Sequence, residues 1–170
     1  MGTKRVGWAR IKSLINENQN QLKILKPQII AVSGTRLLAA SESGATVVWT
    51  LGTNHHITLP SATVGLKYTF IIQKASNDAH TIVTQTADKI YGMATLTRAG
   101  FAADKTSAQS VEKAGAAGID AVHFDANVNA KGGGAGDKVE LVCVEAGYWI
   151  CTAHLTLVGA DPNATLTILD

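Results

Sequence analysis

At Pro27 the hydrophobic period of the chain changes from helical to alternating, and that one change limits the folds available to it. Val6 to Lys26 is the only stretch with helical spacing, where Ile11, Ile15, Asn18, Leu22 and Leu25 follow the four-three repeat of a coiled-coil seam. Pro27 disfavours helical geometry at Lys26 and sets the expected end of that helix. From Gln28 onward, short apolar runs are separated by Gly, Ser, Asn and Asp. Strands are expected near Ile29 to Val32, Arg36 to Ala39, Thr46 to Leu51, His56 to Leu59, Lys67 to Lys74, His80 to Gln85, Met93 to Leu96, Ala121 to Phe124, Lys138 to Val144, Tyr148 to Leu157 and Ala164 to Ile168. Parallel strands need long crossovers, usually helical, and no helical pattern follows Pro27. The expected fold is therefore all-β, an antiparallel β-sandwich or jelly-roll-like domain over residues 28–170, with a short α-helical arm over residues 1–27.

Within that body the firmest element is Gly136 to Leu155, two apolar runs on either side of a tight Glu145-Ala146-Gly147 turn. Val139, Leu141 and Cys143 alternate with Lys138, Glu140 and Val142, and the return strand carries Tyr148, Trp149 and Ile150, of which Trp149 is expected in the core. A two-stranded hairpin is marginal in water, so more sheet must flank it. Leu66 to Ile72 is a second clear strand, with Tyr68, Phe70 and Ile72 on the face expected in the core. Between Arg98 and Gly136 the chain loosens into Ala, Gly, Ser and Lys. Only Ile119 to Phe124 has strand character there, and the rest reads as loop.

Charge is unevenly distributed. Residues 1–30 carry a net +5 and the remaining 140 residues −3, within an overall +2. A basic arm joined to a mildly acidic body points to a partner for the arm. Asn and Gln from Asn16 to Gln21 make the helix weak unless something covers its seam. Either self-association or packing on its own β-domain would cover it. Asn18 within the seam is the kind of polar residue that sets register and oligomer state. Trp8, between Arg5 and Arg10, has the residue types of an interface anchor.

The chemical motifs of enzymes are missing. The Gly132 to Gly134 run lacks the Gly-Lys-Ser/Thr ending and following helix of a phosphate loop. There is no Gly-x-Ser-x-Gly elbow, and the five histidines lack ligand spacing and read as surface or rim residues. Cys143 and Cys151, the only cysteines, lie on opposite strands of the hairpin, as buried thiols or as a cross-strand disulfide. No run approaches a membrane span, and the Met-Gly-Thr-Lys-Arg start lacks the apolar stretch of a secretion signal, so a soluble chain is expected. No catalysis, cofactor, metal, nucleic acid or membrane is expected.

Four pieces of the chain, over about residues 36 to 157, together resemble a β-domain of tailed-bacteriophage virion proteins, especially the capsid decoration (cement) proteins of marine phages. They are Leu38 to Gly44 (LAASESG), Ile57 to Ile72 (ITLPSATVGLKYTFII), Thr81 to Gly92 (TIVTQTADKIYG), and Gly136 to Ile150 with its Gly-Asp start and Tyr-Trp after the turn. The resemblance implies a β-sandwich that assembles, often as trimers, on the outside of an icosahedral capsid, with an extension binding the shell. It carries no catalytic motif. The expectation is thus a structural virion protein that binds the major capsid protein. Arg5, Trp8, Arg10 and Lys12 are the expected capsid contacts, and Ile11, Ile15, Asn18, Leu22 and Leu25 the oligomerisation seam of a homotrimer. The alternative is a tail-fibre or receptor-binding domain that takes a host glycan through exposed aromatics.

Overall fold

Alternation along the chain produces strands wherever it is sustained, and the computed structural model orders them into two sheets. It describes residues 7–24, 28–50, 55–73, 80–85, 87–98, 106–111, 119–124 and 132–157. One helix, α1 (Trp8–Ile24), precedes eleven strands: β1 (Ile29–Val32), β2 (Arg36–Leu37), β3 (Thr46–Trp49), β4 (His55–Thr58), β5 (Lys67–Ile72), β6 (His80–Val83), β7 (Lys89–Arg98), β8 (Thr106–Val111), β9 (Ala121–Phe124), β10 (Lys138–Glu145) and β11 (Tyr148–Leu157). Among the described residues the larger sheet has the order β1-β3-β5-β10-β11-β7-β8 and the smaller β2-β4-β6-β9. The described residues are mostly β, with one short N-terminal α-helix among them.

The pairing corrects the antiparallel expectation. β1 with β3, β3 with β5, β2 with β4, β4 with β6, and β7 with β11 are all parallel. The physical reason is the route of the chain. From β1 to β6 successive strands alternate between the two sheets, so each parallel return in one sheet crosses over through a strand of the other. A strand does the work that a crossover helix does elsewhere. The remaining pairs, β5 with β10, β10 with β11, β7 with β8 and β6 with β9, are antiparallel.

Register turns this winding into rows. Ile30, Val47, Phe70, Val139, Ala153 and Ala94 lie opposite one another across six strands of the larger sheet. All six are buried. In the next row Tyr68 faces Leu141, which faces Cys151, which faces Gly92. Gly92 has φ +136°, and a Cβ there would stand 2.1 Å from the Cys151 carbonyl oxygen. A side chain is excluded at that point by both backbone conformation and space. Ile57, Ile82 and Val122 from the smaller sheet join the same core, which also holds Trp49, Tyr68, Phe70, Ile72 and Trp149. The expected placement of Tyr68, Phe70, Ile72 and Trp149 in the core is met, each being 1% exposed or less.

Two further expectations change. β8 lies in the stretch read as loop, and β7 begins at Lys89, four residues before the expected strand. The expected strand at Ala164 to Ile168 lies outside the described residues. The cysteines are free thiols. Cys143 pairs with Trp149 and Cys151 with Leu141, so the two sulfurs sit on a diagonal, where Cα atoms are roughly 7 to 8 Å apart and disulfide geometry is strained.

The glycine-rich segment ahead of β10 is a structural clasp. Asp137, 3% exposed, accepts from the backbone N–H groups of Gly133 (2.8 Å) and Gly134 (3.0 Å) with one carboxylate oxygen, and from Thr156 (2.8 Å) with the other. Burial pushes this carboxyl above its ordinary pKa, and the three backbone donors oppose that rise. The clasp ties the start of β10 to the end of β11.

Candidate functional site

The described apolar side chains of α1 find no place in the core. Every side chain from Gly7 to Gln19 is exposed. Trp8 is 74% exposed, Leu14 50%, Ile15 47% and Ile11 37%, values that belong to a contact surface rather than a packed helix. Packing of this stretch on its own β-domain, one of the two ways of covering the seam, is therefore not what the structure contains. A helix of this length and Asn/Gln content gains little from propensity alone.

Helical geometry also redistributes the residues assigned to the arm. At about 100° per residue, Ile11 and Ile15 fall within about 60° of Trp8, and Asn18 continues the same stripe. Trp8 therefore shares the stripe with Ile11 and Ile15 and lies apart from Arg10. Lys12 borders the stripe at about 40° from Trp8, while Arg10 lies about 160° away. Arg10 and Lys12 are both exposed. Leu22 lies in the helix, but its side chain is not among those described, and Arg5 and Leu25 lie outside the described residues. The described part of the arm is thus an apolar stripe of Trp8, Ile11, Leu14 and Ile15 bordered by Lys12 on the Trp8 side and by Arg10 on the Leu14 side.

The body offers three other groupings, of which two are internal. His80 is fully buried and His55 nearly so, correcting their reading as rim residues, while His56 and His154 are exposed. The His80 ring stacks on Trp49 at 5.3 Å and on His55 at 5.8 Å. In-register parallel pairing of β4 with β6 sets the two imidazoles side by side, so their stacking follows from the winding. Among the described residues no three His, Cys, Asp or Glu side chains converge as metal ligands. Cys151 is buried and its thiol pKa is pushed up to about 12 by loss of solvent, and burial also raises Cys143. Neither thiol has the exposed, electropositive setting of a reactive cysteine.

The third grouping lies on the outer face of the larger sheet. Tyr91 and Tyr148, both partly exposed, meet edge to face at 6.3 Å, with Ile150 opposite Tyr91 in the register. Sequence reasoning missed this pair because the two tyrosines are far apart in the chain and become neighbours only through the parallel β7–β11 pairing. On the same face Lys67 bonds Glu140 at 2.8 Å, and that bond holds the Glu140 carboxyl below its ordinary range.

No known protein family, curated protein or solved structure matches this chain. No helix among the described residues is long and apolar enough to cross a membrane.

Proposed function

We propose that this chain is a structural virion protein, a β-sandwich capsid decoration subunit that binds the outer surface of a phage shell and stabilises it. The observation that carries the reading is the exposed, amphipathic, cation-bordered α1 beside a body that fills its own core without it. A segment of that kind is suited to associating with a partner. Two sheets sharing one core are what a sandwich requires, and the four sequence pieces described above supply the likeness to decoration proteins. In this proposal the arm, residues 1–27, makes the shell and self contacts, and the body, residues 28–170, is the reinforcing mass. The unit is a homotrimer in which the Ile11, Ile15, Asn18, Leu22 and Leu25 stripe is the seam, Trp8 extends it, and Arg5, Arg10 and Lys12 face the acidic surface of the major capsid protein. Several modest contacts joined in one oligomer raise effective concentration and clamp neighbouring shell subunits.

The test is a pull-down on undecorated capsids across a salt series. Full-length protein is expected to bind and to weaken as salt rises, and Arg5→Ala, Arg10→Ala and Lys12→Ala together are expected to remove most of the binding. Binding unchanged by those substitutions and by salt would overturn the arm as the contact. A second reading, a tail-fibre or receptor-binding module, is favoured by the Tyr91–Tyr148 pair, since paired aromatic faces suit sugar rings. Copy number per virion separates the two: hundreds of copies for a shell protein, a handful for a tail protein.

A further inference from the structure

The larger sheet ends in a strand that lacks the usual protections against pairing. Among the described residues β1 is an edge strand, and Thr46 N–H donates to the Gln28 carbonyl at 2.7 Å while Thr50 N–H donates to the Val32 carbonyl at 3.2 Å. In a parallel ladder alternate residues bond the same neighbour, so Gln28, Ile30 and Val32 turn toward β3. Ile29, Ala31 and Ser33 therefore turn their N–H and C=O groups away from the sheet. Natural edges are usually blunted by charge, proline, a bulge or brevity. Within the strands themselves the other edges show such devices: β2 has only two residues and carries Arg36, which is ion-paired to Glu42, and β9 carries His123. β8 reads Thr-Ser-Ala-Gln-Ser-Val and is mostly polar. β1 reads Ile-Ile-Ala-Val, with no charge and no proline, and Ile29 is 72% exposed.

We infer that the free edge of β1 pairs antiparallel with the β1 edge of a second copy of this chain. Self-complementarity argues for this occupant. A two-fold axis through Ala31 sets the Ala31 N–H and C=O opposite those of its counterpart, and sets Ile29 opposite Ser33 on both sides of the axis. Ile30 and Val32, both buried in the core, then lie opposite each other on the inner face, so the buried rows continue from one copy into the next. Ile29 and Ser33 share the outer face. The small Ala31 side chain at the centre opposes no close approach. Registers that pair residues of unlike parity are excluded, because a one-residue slip would turn every side chain over.

The inference does not rest on the virion reading or on the helical seam, and its test keeps them apart. In the full chain Ile11→Asp with Ile15→Asp disables the seam without touching the core. That protein is expected to sediment at twice the 17.8 kDa chain mass at tens of micromolar. Adding Ala31→Pro is expected to give the single-chain mass with an unchanged melting temperature, since the lost N–H faces away from β3 and proline is tolerated at such edge positions. As a second readout, the Ile29 and Ala31 amides of the seam-disabled chain should exchange at least about tenfold more slowly when concentrated than when dilute. Ile29→Lys should abolish that difference. A seam-disabled chain that is monomeric at every concentration, with Ile29 and Ala31 amides exchanging at the same rate throughout, overturns the inference.

Discussion

Gly92 is the point at which the larger sheet tolerates least. Its position opposite Cys151, with φ +136° and backbone oxygen 2.1 Å from any Cβ, means that alanine there must displace β11 or leave the ladder. Gly92→Ala is expected to destabilise the protein by about 3 kcal/mol, read from denaturant unfolding. The nearby Cys151 gives a chemical measure of the same packing. Its thiol ionises near pH 12 in the folded protein, so below the ordinary thiol range the fold keeps the whole advantage of a buried neutral sulfur and loses it only as pH rises toward 12. At pH 8 a thiol reagent is expected to find Cys143 and Cys151 silent in the native protein and both reactive after unfolding, and rapid native labelling would contradict that burial. Core residues such as Phe70 and Trp149 were legible from alternation alone, because period two assigns faces. His80 was not, because nothing in its neighbours in sequence marks an imidazole that will stack between Trp49 and His55.

Among the elements, legibility followed the size of the apolar side chains. β5, β10 and β11 alternate bulky residues and were evident, while β8, built from Thr, Ser, Ala and Gln, reads as loop until β7 lies beside it. Strand direction was invisible for a different reason: alternation gives faces, and partner choice depends on which sheet the intervening strand joins. The helix was plain from its spacing, yet the place of Trp8 on the same stripe as Ile11 and Ile15 emerges only when about 100° per residue is applied from its first residue. The seam makes an element-level prediction. Ile11→Asp or Ile15→Asp is expected to lower the sedimenting mass by at least one step of association while leaving the melting of the β-body unchanged, since both side chains are exposed. An unchanged mass at micromolar concentration for both substitutions would remove α1 as an oligomerisation element.

For the molecule as a whole, the core draws on both sheets and on none of the described helix residues. Residues 28–170 are therefore expected to fold without the arm, with a cooperative melting transition close to that of the full chain and no binding to undecorated capsids. Circular dichroism on the truncated chain checks the first half, and a multistate or absent transition would show that α1 contributes to the body.

The central place of β10 and β11 has a consequence for synthesis. These strands, residues 138–157, lie between β5 and β7 in the larger sheet, although both of those neighbours leave the ribosome earlier. Until the hairpin emerges, β5 lacks its β10 partner and β7 lacks its β11 partner, and the larger sheet exists only as separate parts. A chain stalled before Gly136 would thus present open strands to proteases and chaperones in place of a finished surface. Completion of the larger sheet is reserved in this way for chains whose translation has run past β11.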